Sequence, residues 1–204
     1  MFLGTLSVSN TYLKAHPLLS HKSEIVSDES ELLILVDNQD QEIGTLDKQS
    51  CHDGDGVLHR AFSVFIFNAE GDLLIQKRAA GKRLWPGFWS NSCCSHPRAG
   101  EHLADAANRR CEQELGLRAE LEFLYKFEYQ ANFGATGSEH ELCSVFVGSV
   151  QGEPRFNATE IEAINWISPT SLDHNLEHSP EEYTPWFQME WQKLNADFRD
   201  HLPF

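Results

Sequence analysis

From Leu121 onward the side chains alternate: Leu121, Phe123, Tyr125, Phe127 and Tyr129 fall on one face, and Glu122, Lys126, Glu128 and Gln130 on the other. A strand turns successive side chains to opposite faces, so the pattern predicts one long, half-buried strand. After a loop over 131–138, the run Glu139-His140-Glu141-Leu142-Cys143-Ser144-Val145-Phe146-Val147 repeats the period and puts Glu139 and Glu141 on the face of Cys143, Val145 and Val147. Carboxylates are seldom buried among hydrophobes unless a cation or a metal accompanies them. The two runs commit this half of the chain to a sheet with a packed face, and that face carries two carboxylates in want of counter-charge.

The other segments supply the remaining layers. Residues 32–36 and 42–46 flank the Asx-type turn Asp37-Asn38-Gln39-Asp40, which reads as a hairpin. Residues 61–67 and 73–78 flank a second turn with Gly71, and 160–167, with Trp166, read as another strand. Leu103, Ala107, Cys111 and Leu115 recur every fourth residue and Gly116 follows, predicting an amphipathic helix with a glycine C-terminal cap. Ser179-Pro180-Glu181-Glu182 has capping-box spacing and predicts a helix start; Thr184-Pro185 predicts a kink or a restart. Phe187, Trp191, Leu194 and Phe198 then form an apolar stripe, with Trp186 off it. At 204 residues and 41% hydrophobic content, one core is expected. The expected architecture is a single α+β domain over 30–204, a mixed β-sheet layered between helices, with 1–29 as an N-terminal extension.

Charge narrows the function classes. Sixteen basic against 31 acidic side chains leave a formal charge of -15, which repels nucleic acid and anionic membranes. A small anion fits only where positive charge is locally dense, as at Lys77, Arg78, Lys82 and Arg83. Five cysteines, an odd number without C-x-x-C spacing, suit a reducing compartment. No basic segment precedes an apolar one at the N-terminus, and no apolar run reaches the roughly 18 residues of a membrane span, so a cytoplasmic protein is expected.

Chemistry concentrates around Trp85-Pro86-Gly87-Phe88-Trp89-Ser90-Asn91-Ser92-Cys93-Cys94-Ser95-His96-Pro97. Cys94 lies two residues before His96, so a soft nucleophile and an imidazole can face one cavity, with Pro97 restraining the backbone beyond. Both residues also read as ordinary core. His52 and His59, on the Gly- and Asp-rich segment after Lys48, can converge or stand as surface histidines; Glu114, in the last turn of the helix, also reads as a solvated side chain.

Taken in order, His52, His59, the Asn91-to-Pro97 motif, Glu114-Leu115-Gly116 and Glu139-His140-Glu141 resemble type I isopentenyl-diphosphate isomerases, a Nudix-fold family, from about residue 32 onward. The resemblance implies one divalent metal, Mn2+, Mg2+ or Zn2+, held by His52, His59, His96, Glu139 and Glu141. It implies a second ion, Mg2+, bridging a diphosphate to Glu114, and anion binding by Lys48, Arg78, Lys82 and Arg110. Its catalytic groups map onto Cys94 and Glu141, with Tyr129 bonded to Glu141 and Trp186 covering a carbocation. The Nudix box, G-x5-E-x7-R-E-U-x-E-E-x-G-U, is degraded here: Glu101 and Arg109 match, whereas Ser95, Arg110 and Gln113 replace its first glycine and two of its glutamates. Glu112 and Glu114, two apart, do not share a helix face, which disfavours diphosphate hydrolysis. The implied partner is a small prenyl diphosphate of isoprenoid biosynthesis, with no nucleic acid or membrane, and the chain a monomer or weak dimer. A Nudix diphosphohydrolase and a non-enzymatic metal-binding module are the rival readings.

Overall fold

In the computed structural model, which describes residues 24–203, β3 (His59–Phe67) is the hub of a nine-stranded mixed sheet. Apart from half-buried Arg60 the strand is buried throughout, as expected of a strand covered on both faces. It runs parallel to β8 (Ser138–Ser149) from His59↔Glu141 to Phe67↔Ser149, and β8 pairs in turn with the antiparallel β7 (Glu120–Asn132). The hairpin of β1 (Leu32–Val36) and β2 (Glu42–Asp47) joins β3 at Leu35↔His59. Beyond them, β4 (Leu73–Arg78) pairs with β9 (Ile161–Ile167).

Alternation along β3 divides the core into two layers. Phe62, Val64 and Ile66 meet Ala106, Ala107, Cys111 and Leu115 of α2 (Leu103–Leu115), which ends at Gly116 in the left-handed conformation (φ 65°). Ala61, Phe65 and Phe67 meet Phe187, Trp191 and Leu194 of α4 (Pro185–Asp197) on the other face. The sheet is therefore layered between helices, as the periodicities predict.

Two local readings are corrected, and two further segments prove to hold short elements. The alternation from Leu121 is not continuous: Phe123 pairs with Phe146 but Tyr125 with Val145, so Leu124 is an extra residue in a bulge. Leu121 and Phe123 consequently face the α2 layer, and Tyr125, Phe127 and Tyr129 the α4 layer. The helix expected to start at Ser179 is instead a three-residue 3-10 turn, Pro180–Glu182; Ser179 (φ -144°) closes an earlier helix, α3 (Pro169–His178), whose cap is Ser168, accepting from Ser171 N at 3.3 Å. The segment after Asp47 forms a short helix, α1 (Lys48–Cys51), capped by the Asp47 carboxylate on Ser50 N at 2.9 Å. The Trp85-to-Pro97 loop contains two short strands, β5 (Trp89–Ser90) on β4 and β6 (Cys93–Ser95) on β3. Among the described residues no helix is long and apolar enough to cross a membrane.

Of the expected extension, 1–23 lie outside the described residues. Residues 24–29 lie on the domain: Asn157 and Thr159 bond to the Glu24 carbonyl, Arg110 to the Val26 carbonyl and Lys48 to the Ser27 hydroxyl.

Candidate active site and metal centre

Four elements bring five ligand-type side chains together. His52 ends α1, His59 opens β3, His96 follows β6, and Glu139 and Glu141 share the inner face of β8; their donor atoms all lie within 4.8 Å of one another. Nδ1 of His52 is 2.6 Å from the Lys48 carbonyl, and Nδ1 of His59 is 2.7 Å from the Val57 carbonyl. A carbonyl only accepts, so each Nδ1 donates, which orients the ring and turns Nε2 toward the cluster. Nε2 of His59 and His96 approach to 3.1 Å, and His96 Nε2 lies 3.2 Å from Glu141 Oε1. Glu139 Oε2 is 2.7 Å from His52 Nε2, an ion pair when the ring is protonated, and has no other partner. Three converging imidazoles and two buried carboxylates are a donor set that fits a divalent cation.

The electrostatics agree. Burial opposes a charge on His52, but the adjacent Glu139 carboxylate overrides it and raises the pKa to about 9, so a proton and a metal ion compete for the same nitrogen. Burial lowers His96 to about 4. Burial would raise Glu141, but bonds to His59 and His96 hold it well below the usual carboxylate range. The hairpin between β7 and β8 closes directly onto α1, Ser138 N bonding to the His52 carbonyl at 3.0 Å. At Gly137 (φ 152°) a Cβ would come within 2.3 Å of that carbonyl oxygen, so only glycine permits the approach.

The register of β6 on β3, Ser63↔Cys94 and Val64↔Cys93, separates the two adjacent cysteines. Cys93 is buried in the α2 layer with Cys111, whereas Cys94 opens into a cavity with Glu141, Tyr129 and Trp186. All five cysteines are free. Asn91, fully buried, donates Nδ2 to the Val64 and Cys93 carbonyls (3.2 and 3.1 Å), which aims its Oδ1 at Cys94 Sγ, 2.7 Å away. The thiol must therefore carry its proton, and burial also raises its pKa. Tyr129 donates to Glu141 Oε2 at 2.7 Å. Trp186 donates Nε1 to Ser90 Oγ at 3.1 Å and packs edge-on against Trp85, with the Arg78 guanidinium 5.3 Å from its ring. Trp85 itself has φ 46°, rare for a bulky residue, and Arg78 bonds to the carbonyls of Leu84 and Trp85.

Lys48, Arg78, Lys82 and Arg110 line the same cavity as Cys94 and Glu141, so its mouth is cationic in an otherwise acidic protein. Lys77 does not belong to this group and pairs outside with Glu162 at 3.0 Å. Glu114 lies behind Arg110, whose Nε is 3.0 Å from its Oε1. Of the box residues, Glu101 receives both Nε and Nη2 of Arg109 (2.7 and 2.8 Å), and exposed Glu112 pairs with Arg118 at 2.8 Å. No cluster of free carboxylates survives on α2 among the described residues. Sequence reasoning missed Glu160, buried against Lys82 and Arg110; Ser27, which bonds to Lys48 at 2.6 Å; and the polar residues beneath Cys94. Asn91 was legible as part of the motif but not as the partner of the thiol.

The NUDIX domain family matches residues 57–187. Isopentenyl-diphosphate Delta-isomerase 1 of Photorhabdus laumondii is 42% identical over 174 residues, 84% of this chain and 99% of its own length. The Escherichia coli isopentenyl-diphosphate Delta-isomerase is 37% identical over 180 residues, 85% of this chain and 99% of its own. A crystal structure from Deinococcus radiodurans superposes with a TM-score of 0.66 at 22% identity, covering 80% of this chain and 98% of its own, a likeness of fold.

Proposed function

The chain belongs to the Nudix family and, within it, to the isopentenyl-diphosphate Delta-isomerases, and from that membership we propose that it interconverts isopentenyl and dimethylallyl diphosphate with Cys94 and Glu141 as its acid/base groups. Moving the double bond from C3–C4 to C2–C3 adds a proton at C4 and removes one from C2, through a tertiary cation at C3. Such a reaction needs two proton-exchanging groups on one substrate-sized cavity. The observation that carries the reading is that Cys94 and Glu141 line a single cavity with five cationic side chains, Arg83 beside Lys48, Arg78, Lys82 and Arg110.

The roles follow from the surroundings. Glu141, fixed by Tyr129 and by His96, holds or takes a proton at a carboxylate oxygen; Cys94, oriented by Asn91, does so at sulfur. The Trp186 ring, buried beside Tyr129, gives the cation an electron-rich face, worth about 2 kcal/mol or more once desolvated. Lys48, Arg78, Lys82 and Arg110 receive the diphosphate, arginine through its fork and lysine as a point charge. A divalent ion held by His52, His59, His96, Glu139 and Glu141, whether Mn2+, Mg2+ or Zn2+, supplies positive charge that steadies the Glu141 carboxylate and tunes its acidity. Glu114, whose Oε1 is bonded to Arg110, would hold a further Mg2+ that the family resemblance implies and that would supply positive charge to the diphosphate.

The test is incubation of the protein with isopentenyl diphosphate and each metal in turn, followed by NMR. Dimethylallyl diphosphate is the expected product. Release of phosphate without allylic product would point to a hydrolase instead, and stable metal binding with no turnover of any prenyl diphosphate to a structural metal module.

A further inference from the structure

Beneath Cys94, on the side away from the cavity mouth, lies a small polar group that the chemistry above does not use. Ser63 on β3 sits beside Cys94 on β6, and its Oγ lies 3.5 Å from Cys94 Sγ. Cys143 Sγ on β8 lies 3.4 Å from the same oxygen. From above, α4 lowers Glu190 onto this row, its Oε1 3.6 Å from Cys143 Sγ, so the one Cys143 hydrogen can go to either oxygen. Glu190 is fully buried, and its Oε2 has no hydrogen-bond partner.

A carboxyl in that position is costly, because the surrounding layer is Phe65, Tyr125, Phe187, Trp191 and Leu194. A methionine or leucine would fill the space at no such cost. We propose that Glu190 is a positioning residue of the isomerisation, which acts through Cys143 and Ser63 to set the Cys94 thiol from behind. The inference rests on the reading of Cys94 as a proton-exchanging group.

The geometry explains how. The groups facing Glu190 are Ser63 from β3, Cys143 and Glu141 from β8, Cys94 from β6 and Tyr125 from β7, and none of the groups acting on it is a cation. Desolvation therefore keeps the carboxyl protonated, with its pKa raised to about 8. A neutral carboxyl still accepts the Cys143 hydrogen at Oε1, which leaves the Ser63 hydroxyl unencumbered by that thiol. Cys94, whose one hydrogen goes to Asn91 Oδ1, then accepts the Ser63 hydrogen at sulfur and is held between the two. Without Glu190 the Cys143 hydrogen turns to Ser63 Oγ and reorients the hydroxyl that Cys94 meets.

The experiment compares E190Q, E190M and S63A in the metal-loaded enzyme. Glutamine keeps a neutral acceptor and donor, so E190Q should keep kcat within about twofold, whereas E190M and S63A should lose tenfold or more in kcat with KM, metal content and melting temperature unimpaired. The double variant should be no worse than either single one, since the two residues act as a unit. Independently of turnover, alkylation of Cys94, read by peptide mapping, should change at least threefold in E190M and S63A and not in E190Q. Unchanged kcat and alkylation in E190M, or equal losses in E190Q and E190M, would overturn the proposal. If the wild-type protein forms no dimethylallyl diphosphate, the isomerase reading fails, and the alkylation rates alone decide whether Glu190 sets the thiol.

Discussion

At the residue scale the adjacent cysteines give the sharpest contrast. Cys94 opens into the cavity and Cys93 into the α2 layer. Cys94→Ala should nearly abolish isomerisation while leaving metal content intact, and Cys93→Ala should cost only packing stability, which parallel assays and melts would show. Glu141→Gln should lower kcat by about 10² to 10⁴-fold, the range of general acid–base groups; near wild-type turnover would remove it from the mechanism. Glu190 makes a separate prediction about stability. Its folded pKa, about 8, lies above the ordinary value of 4.5, so its contribution is full below pH 4.5 and is lost as pH rises toward 8. Relative to E190Q, the wild-type protein should lose at most roughly 1.4 kcal/mol per pH unit across that window and level off above it, measurable by denaturant titration at several pH values.

At the element scale the site depends on how the β7–β8 hairpin meets α1. Gly137 lets the hairpin close on the His52 carbonyl, and two residues later Glu139 reaches the His52 ring. Gly137→Ala should therefore destabilise by more than about 1 kcal/mol, from a positive φ and a backbone clash together, and should weaken metal binding as His52 and Glu139 part. Calorimetric metal titration of the folded variant checks the second effect. The same hairpin shows where periodicity misleads. An apolar residue stands at each odd position from 121 to 129, but Leu124 is apolar too, and the sheet uses it as the bulge that turns the first part of β7 toward α2 and the rest toward α4. The end of α3 is a comparable case: Ser179-Pro180 looks like a helix start, yet Ser168-Pro169 had already started one, and its last turn ends at His178.

For the whole molecule, the candidate metal centre draws its side chains from α1, β3, β8 and the segment after β6, so a metal bound to the folded state alone should stabilise the chain. At a free metal concentration 100 times Kd the gain is about 2.7 kcal/mol, and thermal melts with and without a chelator should show it. His96→Ala and Glu139→Gln should lose that shift, and acidification should weaken it as protons compete for His52. What the sequence by itself determined is what local geometry dictates. Strand and helix periods, the Gly116 cap and the opposite faces of Cys93 and Cys94 all follow from the repeat of the backbone, which neighbouring residues set among themselves. The five candidate metal-binding positions were legible through a motif resemblance, and the need for a counter-charge through the same-face carboxylates Glu139 and Glu141. Only the tertiary structure decided that Arg110 holds Glu114, that Glu160 backs Lys82, and that Glu190 comes down from α4 onto Cys143 beneath Cys94. These are contacts between distant elements; whether a glutamate is solvated, paired or left neutral depends on what packs against it, and no period along the chain records that.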